Sequence, residues 1–192
     1  MKNILILYTL ILVGVGCGEK SQLSKEVSLF QKSPVILPER CKMMFNVSTG
    51  VVSNSVSTGL KYVIYNDSLG CTSCAINKMY LWNDFIEYAK LYNGRLKYYF
   101  IYSPSKKDCK SIELILKKSN FGYPILLDTL NEFAKLNPHL PKNRVLHTFL
   151  LDEDNKVILV GNPLHNKKIE EMFYKIVEEK LGKSQQSSAK ED

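Results

Sequence analysis

The feature that most constrains the fold is a regular alternation of strand and helix patterns between residues 61 and 181. Runs rich in β-branched and aromatic residues predict strands, and runs with apolar residues three and four positions apart predict helices. Strands that alternate with helices form a sheet with parallel pairs, covered on both faces. The order β-α-β-α-β-α-β-β-α therefore predicts an α/β fold: a three-layer α/β/α sandwich with a mixed central sheet, a C-terminal β-hairpin and a final helix.

The predicted elements follow from these patterns and from the Gly, Pro and Asn residues between them. Strands are predicted at residues 61–66, 96–102, 125–128, 148–151 and 157–160, and helices at 75–93, 109–120, 131–136 and 167–181. Asp108 is expected to cap the second helix. Residues 41–58, with alternating Val and Ser, predict one or two edge strands. The inward residues of the last helix are expected to be Ile169, Met172, Phe173, Ile176 and Val177.

Composition limits the classes of protein and partner. The chain has 192 residues, 45% hydrophobic and 23% charged, which is typical of one globular domain with short tails. The net charge is +7, but the lysines are spread along the chain without interleaved aromatic residues. We therefore expect no nucleic-acid partner. Trp82 and residues 98–100 lie on elements predicted to be buried, which favours a core role over a ligand platform.

The N-terminus has the pattern of a signal peptide. Its apolar run spans about a dozen residues, whereas a helix needs about 20 to cross a bilayer. The residues before Cys17 resemble a bacterial lipobox, although Gly14 stands where Leu is usual. We expect a signal peptide at 1–16, a lipidated tether at 17–33, a domain at 34–181 and a polar tail at 182–192. The chain would be anchored through Cys17 in the bacterial cell envelope, facing the periplasm, on the outer or inner membrane. An ordinary secretory cleavage is the alternative.

Cys71 and Cys74 form a C-x-x-C motif in the predicted turn between the first core strand and the first helix. A thiol at a helix N-terminus faces unpaired N–H groups, which lower its pKa from about 8.5. Cys71 would attack, and Cys74 lies within disulfide reach to resolve the intermediate. The spacing alone also fits half a zinc site. A second close pair of ligands is missing, so a site of Cys71, Cys74, Cys109 and His147 is the remaining zinc alternative.

Three segments together resemble the thioredoxin-fold proteins of the TlpA-like, membrane-anchored thiol-disulfide reductase group. They are the C-x-x-C between strand and helix, residues 123–128 with Phe133 and Ala134 after them, and residues 148–161. The resemblance implies a thioredoxin-like fold and an oxidoreductase that reduces or isomerises disulfides of cysteine-containing envelope proteins, often supplied by a membrane electron donor. No cofactor or bound metal is expected.

The chain departs from that group at three positions. Gly70 replaces the usual aromatic residue before the first cysteine, Leu146 or His147 stands where a cis-proline is usual, and Tyr65 replaces an acidic residue. Asp67 is close enough to the motif to serve as the proton relay. His147 either favours a Cys71 thiolate or fills a half-buried loop.

These departures keep two other hypotheses open. One is a non-catalytic binding or scaffold module on the same fold, with a structural disulfide, and the other is a thiol site for a metal. A Cys71→Ser variant separates them, since it abolishes exchange in the first case, leaves partner binding intact in the second and releases metal in the third. Cys41 and Cys109 could pair, remain separate thiols, or leave Cys109 as a third exchanging thiol; His139 and His165 receive no role.

Overall fold

The computed structural model describes residues 15–38, 42–45, 48–51, 59–119 and 121–183, with the backbone alone in some segments. Residues 1–14 of the expected signal peptide, Cys41 and residues 184–192 of the polar tail lie outside this part of the chain. Within the described ranges, no helix is long and apolar enough to span a bilayer.

The described strands and helices follow the predicted order from residue 60 onward, except that several shorter helices replace the first predicted helix; the helix before the strands was not predicted. The strands are β1 (Lys42–Phe45), β2 (Ser48–Val51), β3 (Leu60–Asn66), β4 (Leu96–Tyr102), β5 (Ile125–Leu127), β6 (Thr148–Leu151) and β7 (Val157–Val160). The helices are α1 (Val15–Phe30), α2 (Thr72–Asn77), α3 (Asn83–Lys90), α4 (Cys109–Lys118), α5 (Glu132–Leu136) and α6 (Lys167–Leu181), with short 3₁₀ helices at Met79–Trp82 and Arg144–Leu146.

The described strands form one mixed sheet in the order β2-β1-β5-β4-β3-β6-β7. β3, β4 and β5 are mutually parallel, β6 pairs antiparallel with β3, and β7 pairs antiparallel with β6. A parallel βαβαβ half followed by a ββα half is the thioredoxin-like arrangement, so the predicted fold class is confirmed. β1 and β2 are the predicted edge strands, and β1 pairs with β5. The parallel strands end at one edge of the sheet, where sites of α/β proteins usually lie.

Side chains of neighbouring strands build a core on each face of the sheet. One core contains Tyr62, Phe100 and Trp82, and the other contains Val63, Ile101 and Phe149. Burial of each such side chain contributes about 1.5 to 3 kcal/mol to folding. Trp82, Tyr98 and Phe100 are buried, as predicted for core residues.

The segment expected to be a tether contains helix α1, and its last residue packs against the sheet. Phe30 is fully buried and meets the ring of Phe149 edge to face, with 4.8 Å between centroids. Val35 is also buried, and its N–H donates to the carbonyl oxygen of Asn155 at 2.9 Å. Residues of the expected tether therefore pack on the folded domain.

The single long helix predicted at 75–93 is wrong, because α2, a 3₁₀ helix and α3 replace it. Four buried residues, Ile76, Met79, Trp82 and Phe85, are each three positions apart. Three α-helical residues fall about 60° short of a full turn, so a straight α-helix would turn Phe85 about 180° away from Ile76. A 3₁₀ helix has three residues per turn and keeps this spacing on one face.

Smaller corrections concern the ends and faces of helices. The Asp108 side chain does not cap α4; its carboxylate accepts a hydrogen bond from Ser105 Oγ at 2.6 Å instead. Met172 was predicted to face inward but is 43% exposed. The buried residues of α6 are Phe173, Val177 and Leu181, four positions apart, and they place Met172 at the side of the buried stripe.

Candidate active site

The two cysteines expected to react form a disulfide at the edge where the parallel strands end. Cys71 follows the loop after β3, Cys74 lies in α2, and their Cα atoms are 5.3 Å apart. Both residues are exposed. Exposed disulfides are reduced more easily than buried structural ones, so this location permits exchange with another molecule.

The two sulfur atoms have different surroundings. Cys71 occupies the N-cap position of α2, and the backbone N–H of Cys74 donates to Cys71 Sγ at 3.3 Å. The hydroxyl oxygen of Ser73 lies 3.5 Å from the same sulfur. Donors at this distance stabilise negative charge, so they favour Cys71 over Cys74 as the sulfur that carries the thiolate after reduction.

Two polar side chains at the end of β3 hold the loop that presents Cys71. Asp67 Oδ1 accepts hydrogen bonds from the N–H groups of Leu69 and Gly70, each at 3.0 Å. Asn66 Oδ1 accepts from the buried hydroxyl of Thr72 at 3.2 Å. Sequence reasoning singled out Asp67 and missed Asn66, although an Asn-Asp pair directly after a strand is a turn signal.

The two residues proposed to tune the site, Asp67 and His147, lie next to each other. His147 Nδ1 is 4.0 Å from Asp67 Oδ2, and the imidazole is buried. His147 Nε2 lies 2.8 Å from the carbonyl oxygen of Pro141, and since a carbonyl only accepts, Nε2 carries a hydrogen. A neutral His147 therefore presents an unprotonated Nδ1 toward Asp67, and Nδ1 has no hydrogen-bond partner among the described residues.

His147 directly precedes β6, at one of the two positions where the resemblance would place a cis-proline. All peptide bonds in the described part of the chain are trans. The centroids of the His147 and Tyr65 rings are 5.1 Å apart. Two of the positions at which the chain departs from the thioredoxin-fold group are therefore packed against each other.

Arg144 fills the space beside Gly70 and was not singled out from the sequence. A Cβ built on Gly70 would lie 3.4 Å from Arg144 Nη1 and 3.3 Å from Asn66 Oδ1. Arg144 Nη1 is also 3.9 Å from Asp67 Oδ1. Arg144 lies in the 3₁₀ helix Arg144–Leu146, whose N-cap is Asn143. The side-chain oxygen of Asn143 accepts a hydrogen bond from the N–H of Val145 at 3.1 Å. The guanidinium of Arg144 therefore lies beside Gly70, the position at which the resemblance implies an aromatic residue.

A cavity of about 290 Å³ opens beside Cys74. Its apolar lining includes Trp82 and Leu164, its cationic lining includes Lys78 and Arg144, and the imidazole of His165 also lines it. No Asp or Glu is among the residues that line it. The left-handed φ of +135° at Gly161 starts the loop that carries His165, and a Cβ there would lie 3.0 Å from Ile169 side-chain atoms.

The alternative zinc site is not assembled. No group of three His, Cys, Asp or Glu side chains suited to a metal occurs in the described part of the chain. Cys71 and Cys74 are bonded to each other, and Cys109 is a free thiol whose Sγ donates to the carbonyl oxygen of Ser105 at 3.3 Å. A pairing with Cys41 lies outside the described residues.

Comparisons with known proteins complete the description. No protein-family model matches the chain. No curated protein matches it either. Among solved structures, it is similar to the thioredoxin domain of a thiol-disulfide oxidoreductase from Bacteroides vulgatus, at 15% identity and a TM-score of 0.45, covering 74% of this chain and 99% of that one.

Two further structures are similar at the same level. StoA from Bacillus subtilis has 17% identity and a TM-score of 0.43, with 69% of this chain and 98% of that chain covered. An uncharacterized thioredoxin-like protein from Porphyromonas gingivalis has 13% identity and a TM-score of 0.46, with 78% and 94% covered.

Proposed function

We propose that the chain is a thiol-disulfide oxidoreductase that exchanges disulfides with cysteine-containing partner proteins through Cys71 and Cys74. The observation that carries the proposal is the exposed Cys71–Cys74 disulfide, with the N–H of Cys74 directed at Cys71 Sγ. Accessibility lets a partner reach the sulfur, and the N–H donor stabilises the thiolate form that reacts.

The exchange takes two steps in the reduced protein. The Cys71 thiolate attacks one sulfur of the partner disulfide, the partner S–S bond breaks, and the second partner sulfur leaves as a thiolate that takes up a proton. Cys74 then loses its proton and attacks Cys71 Sγ, which releases the first partner sulfur and restores the disulfide of this chain. Two electrons pass from the dithiol to the partner, and the reverse sequence oxidises a partner dithiol.

Two exposed apolar residues beside the site suit a protein substrate. Leu69 is 81% exposed and lies two residues before Cys71, and Val145 is 65% exposed and follows Arg144. Exposed apolar residues that form a patch mark protein contacts, and we infer that these two take part in such a contact with the partner.

Asp67 acts as a positioning residue in this proposal. It holds the N–H groups of Leu69 and Gly70, and therefore the backbone that leads into Cys71. His147 faces the second oxygen of the same carboxylate.

For location we propose a lipid anchor at Cys17 in the bacterial cell envelope. Helix α1 leads from Cys17 to Phe30 over 14 residues, a length of about 21 Å, and Phe30 is buried on the sheet. This helix would hold the site away from the membrane surface, within reach of envelope proteins or of a membrane electron donor. Incorporation of labelled fatty acid, lost in Cys17→Ala, tests the anchor.

Trapping of the mixed disulfide tests the activity. In reduced full-length Cys74→Ser, Cys71 attacks a partner disulfide but the intermediate is not resolved, so a covalent adduct with a disulfide-containing protein accumulates. The matched Cys71→Ser variant keeps one exposed thiol and should trap far less. Equal trapping by both variants, or none by either, would contradict the proposed roles.

A further inference from the structure

The cavity beside Cys74 has the features of a binding site for a small ligand. Its volume of about 290 Å³ is near the lower end of the range for small-molecule pockets. Part of its lining is apolar, with Trp82 and Leu164, and part is cationic, with Lys78 and Arg144. No Asp or Glu is among the lining residues, and the nearest carboxylate to Arg144 that the structure records is Asp67, whose Oδ1 lies 3.9 Å from Arg144 Nη1. The cationic groups of the lining therefore favour an anionic ligand with a short apolar body.

The position of the cavity relative to the disulfide sets the chemistry. Cys74 is part of the lining and Cys71 is not, so a ligand in the cavity meets the Cys74 side of the S–S bond. Attack on Cys74 makes Cys71 the leaving sulfur. Cys71 Sγ already accepts the N–H of Cys74, and a better stabilised leaving thiolate speeds exchange.

We propose that the cavity binds a small thiol that carries carboxylate groups, of the class of glutathione, and that this thiol reduces the disulfide by attack on Cys74. The proposal rests on the proposed function, for which it names a reducing substrate. Lys78 and Arg144 would bind the carboxylates, and Trp82 and Leu164 would contact the apolar part of the ligand. His165, exposed at the same lining, would provide a further hydrogen-bond donor.

The reaction balances with two small thiols. The first, as a thiolate, attacks Cys74 Sγ, the Cys74–Cys71 bond breaks, and the electron pair leaves on Cys71, which takes up a proton. The second small thiolate attacks the sulfur of the first, which forms the small-molecule disulfide and releases Cys74 as a thiolate that is then protonated. Two thiols are oxidised, one protein disulfide is reduced, and the protons lost by the thiols end on the two cysteines.

The test compares three thiols of different charge on the oxidised full-length chain. Glutathione is anionic, 2-mercaptoethanol is neutral and cysteamine is cationic. For each thiol, the reduction rate of the wild type is divided by that of the variant, so that the intrinsic reactivity of the thiol cancels. We expect Lys78→Ala and Arg144→Ala each to slow reduction by glutathione about threefold relative to reduction by 2-mercaptoethanol, and to speed reduction by cysteamine relative to that same neutral thiol. Lys180→Ala removes the same charge at the far end of α6 and should leave all three rates unchanged.

Peptide mass mapping after an acid quench locates the first adduct. We expect glutathione on Cys74. Equal ratios for the three thiols, or glutathione on Cys71, would overturn the inference. If Cys74→Ser still traps a protein partner in that case, the proposed exchange function stands; if neither the small thiols nor the protein react, both are overturned.

Discussion

The guanidinium of Arg144 lies against Gly70, because a Cβ at Gly70 would be 3.4 Å from Arg144 Nη1, in van der Waals contact with it. An indole or phenol ring at position 70 needs far more room than one carbon. An aromatic side chain directed toward Arg144 would therefore have to displace the guanidinium. With glycine at position 70, a positive charge lies beside the backbone that leads into Cys71.

This relationship predicts that substitutions at the two positions are not additive. Arg144→Ala removes the charge, and Gly70→Trp displaces it, so each should slow iodoacetamide alkylation of Cys71 in the reduced protein by about two- to fivefold. The double variant should be no slower than either single variant, because both remove the same charge. Multiplied effects in the double variant would show that the two residues act separately.

Asp67 is predicted to act through the loop. Asp67→Ala loses the acceptor for two N–H groups and should lower the free energy of unfolding by about 1 to 2 kcal/mol, as well as slow exchange. Asp67→Asn keeps an acceptor oxygen and should retain most of the stability and most of the exchange rate. Urea unfolding and the rate of protein-disulfide reduction measure the two effects. An Asn variant as slow in exchange as the Ala variant, but fully stable, would instead assign Asp67 to proton transfer.

Leu69 and Val145 are predicted to contact protein substrates. Replacing both by Ser should lower kcat/KM for a protein disulfide about three- to tenfold and leave reduction by glutathione unchanged, since apolar contact is lost while the thiols are untouched. Leu29→Ser, a matched change at a 60% exposed residue of α1, should affect neither. Parallel losses with both substrates would point to a disturbed site.

Stability is predicted to fall at acid pH partly because of His139. Burial lowers the pKa of His139 below its ordinary value of 6.5, and its Nε2 has no hydrogen-bond partner in the described ranges. The unfolded chain therefore binds this proton more readily, so stability present above pH 6.5 is lost as the pH falls through the lower folded value. His139→Phe, which keeps a ring near Phe30, should lose less stability than wild type between pH 7.5 and 5.5 in urea unfolding. An equal loss in both would contradict this assignment.

Local patterns were sufficient to predict the order of elements, the edge strands and the position of the C-x-x-C motif. They failed where tertiary packing determines the helix type, as at the 3₁₀ helix Met79–Trp82. Buried residues three positions apart are compatible with both an α-helix and a 3₁₀ helix over a short stretch of sequence. Arg144 and His165 could not be assigned to the site from the sequence. They are far from Cys74 along the chain, and only the order of strands in the sheet brings their loops close to α2. Asp67 could be singled out because it is adjacent in sequence to the loop that it holds.

The reduction potential of the Cys71–Cys74 pair tests the central claim most directly. The full-length chain is equilibrated in glutathione buffers, and the dithiol fraction is read from the mass added by alkylation. We predict a reversible value between about −120 and −270 mV, the range of exchange catalysts. A disulfide that resists glutathione, with a potential below about −300 mV, would make the pair structural and would contradict the account in favour of a non-catalytic binding module.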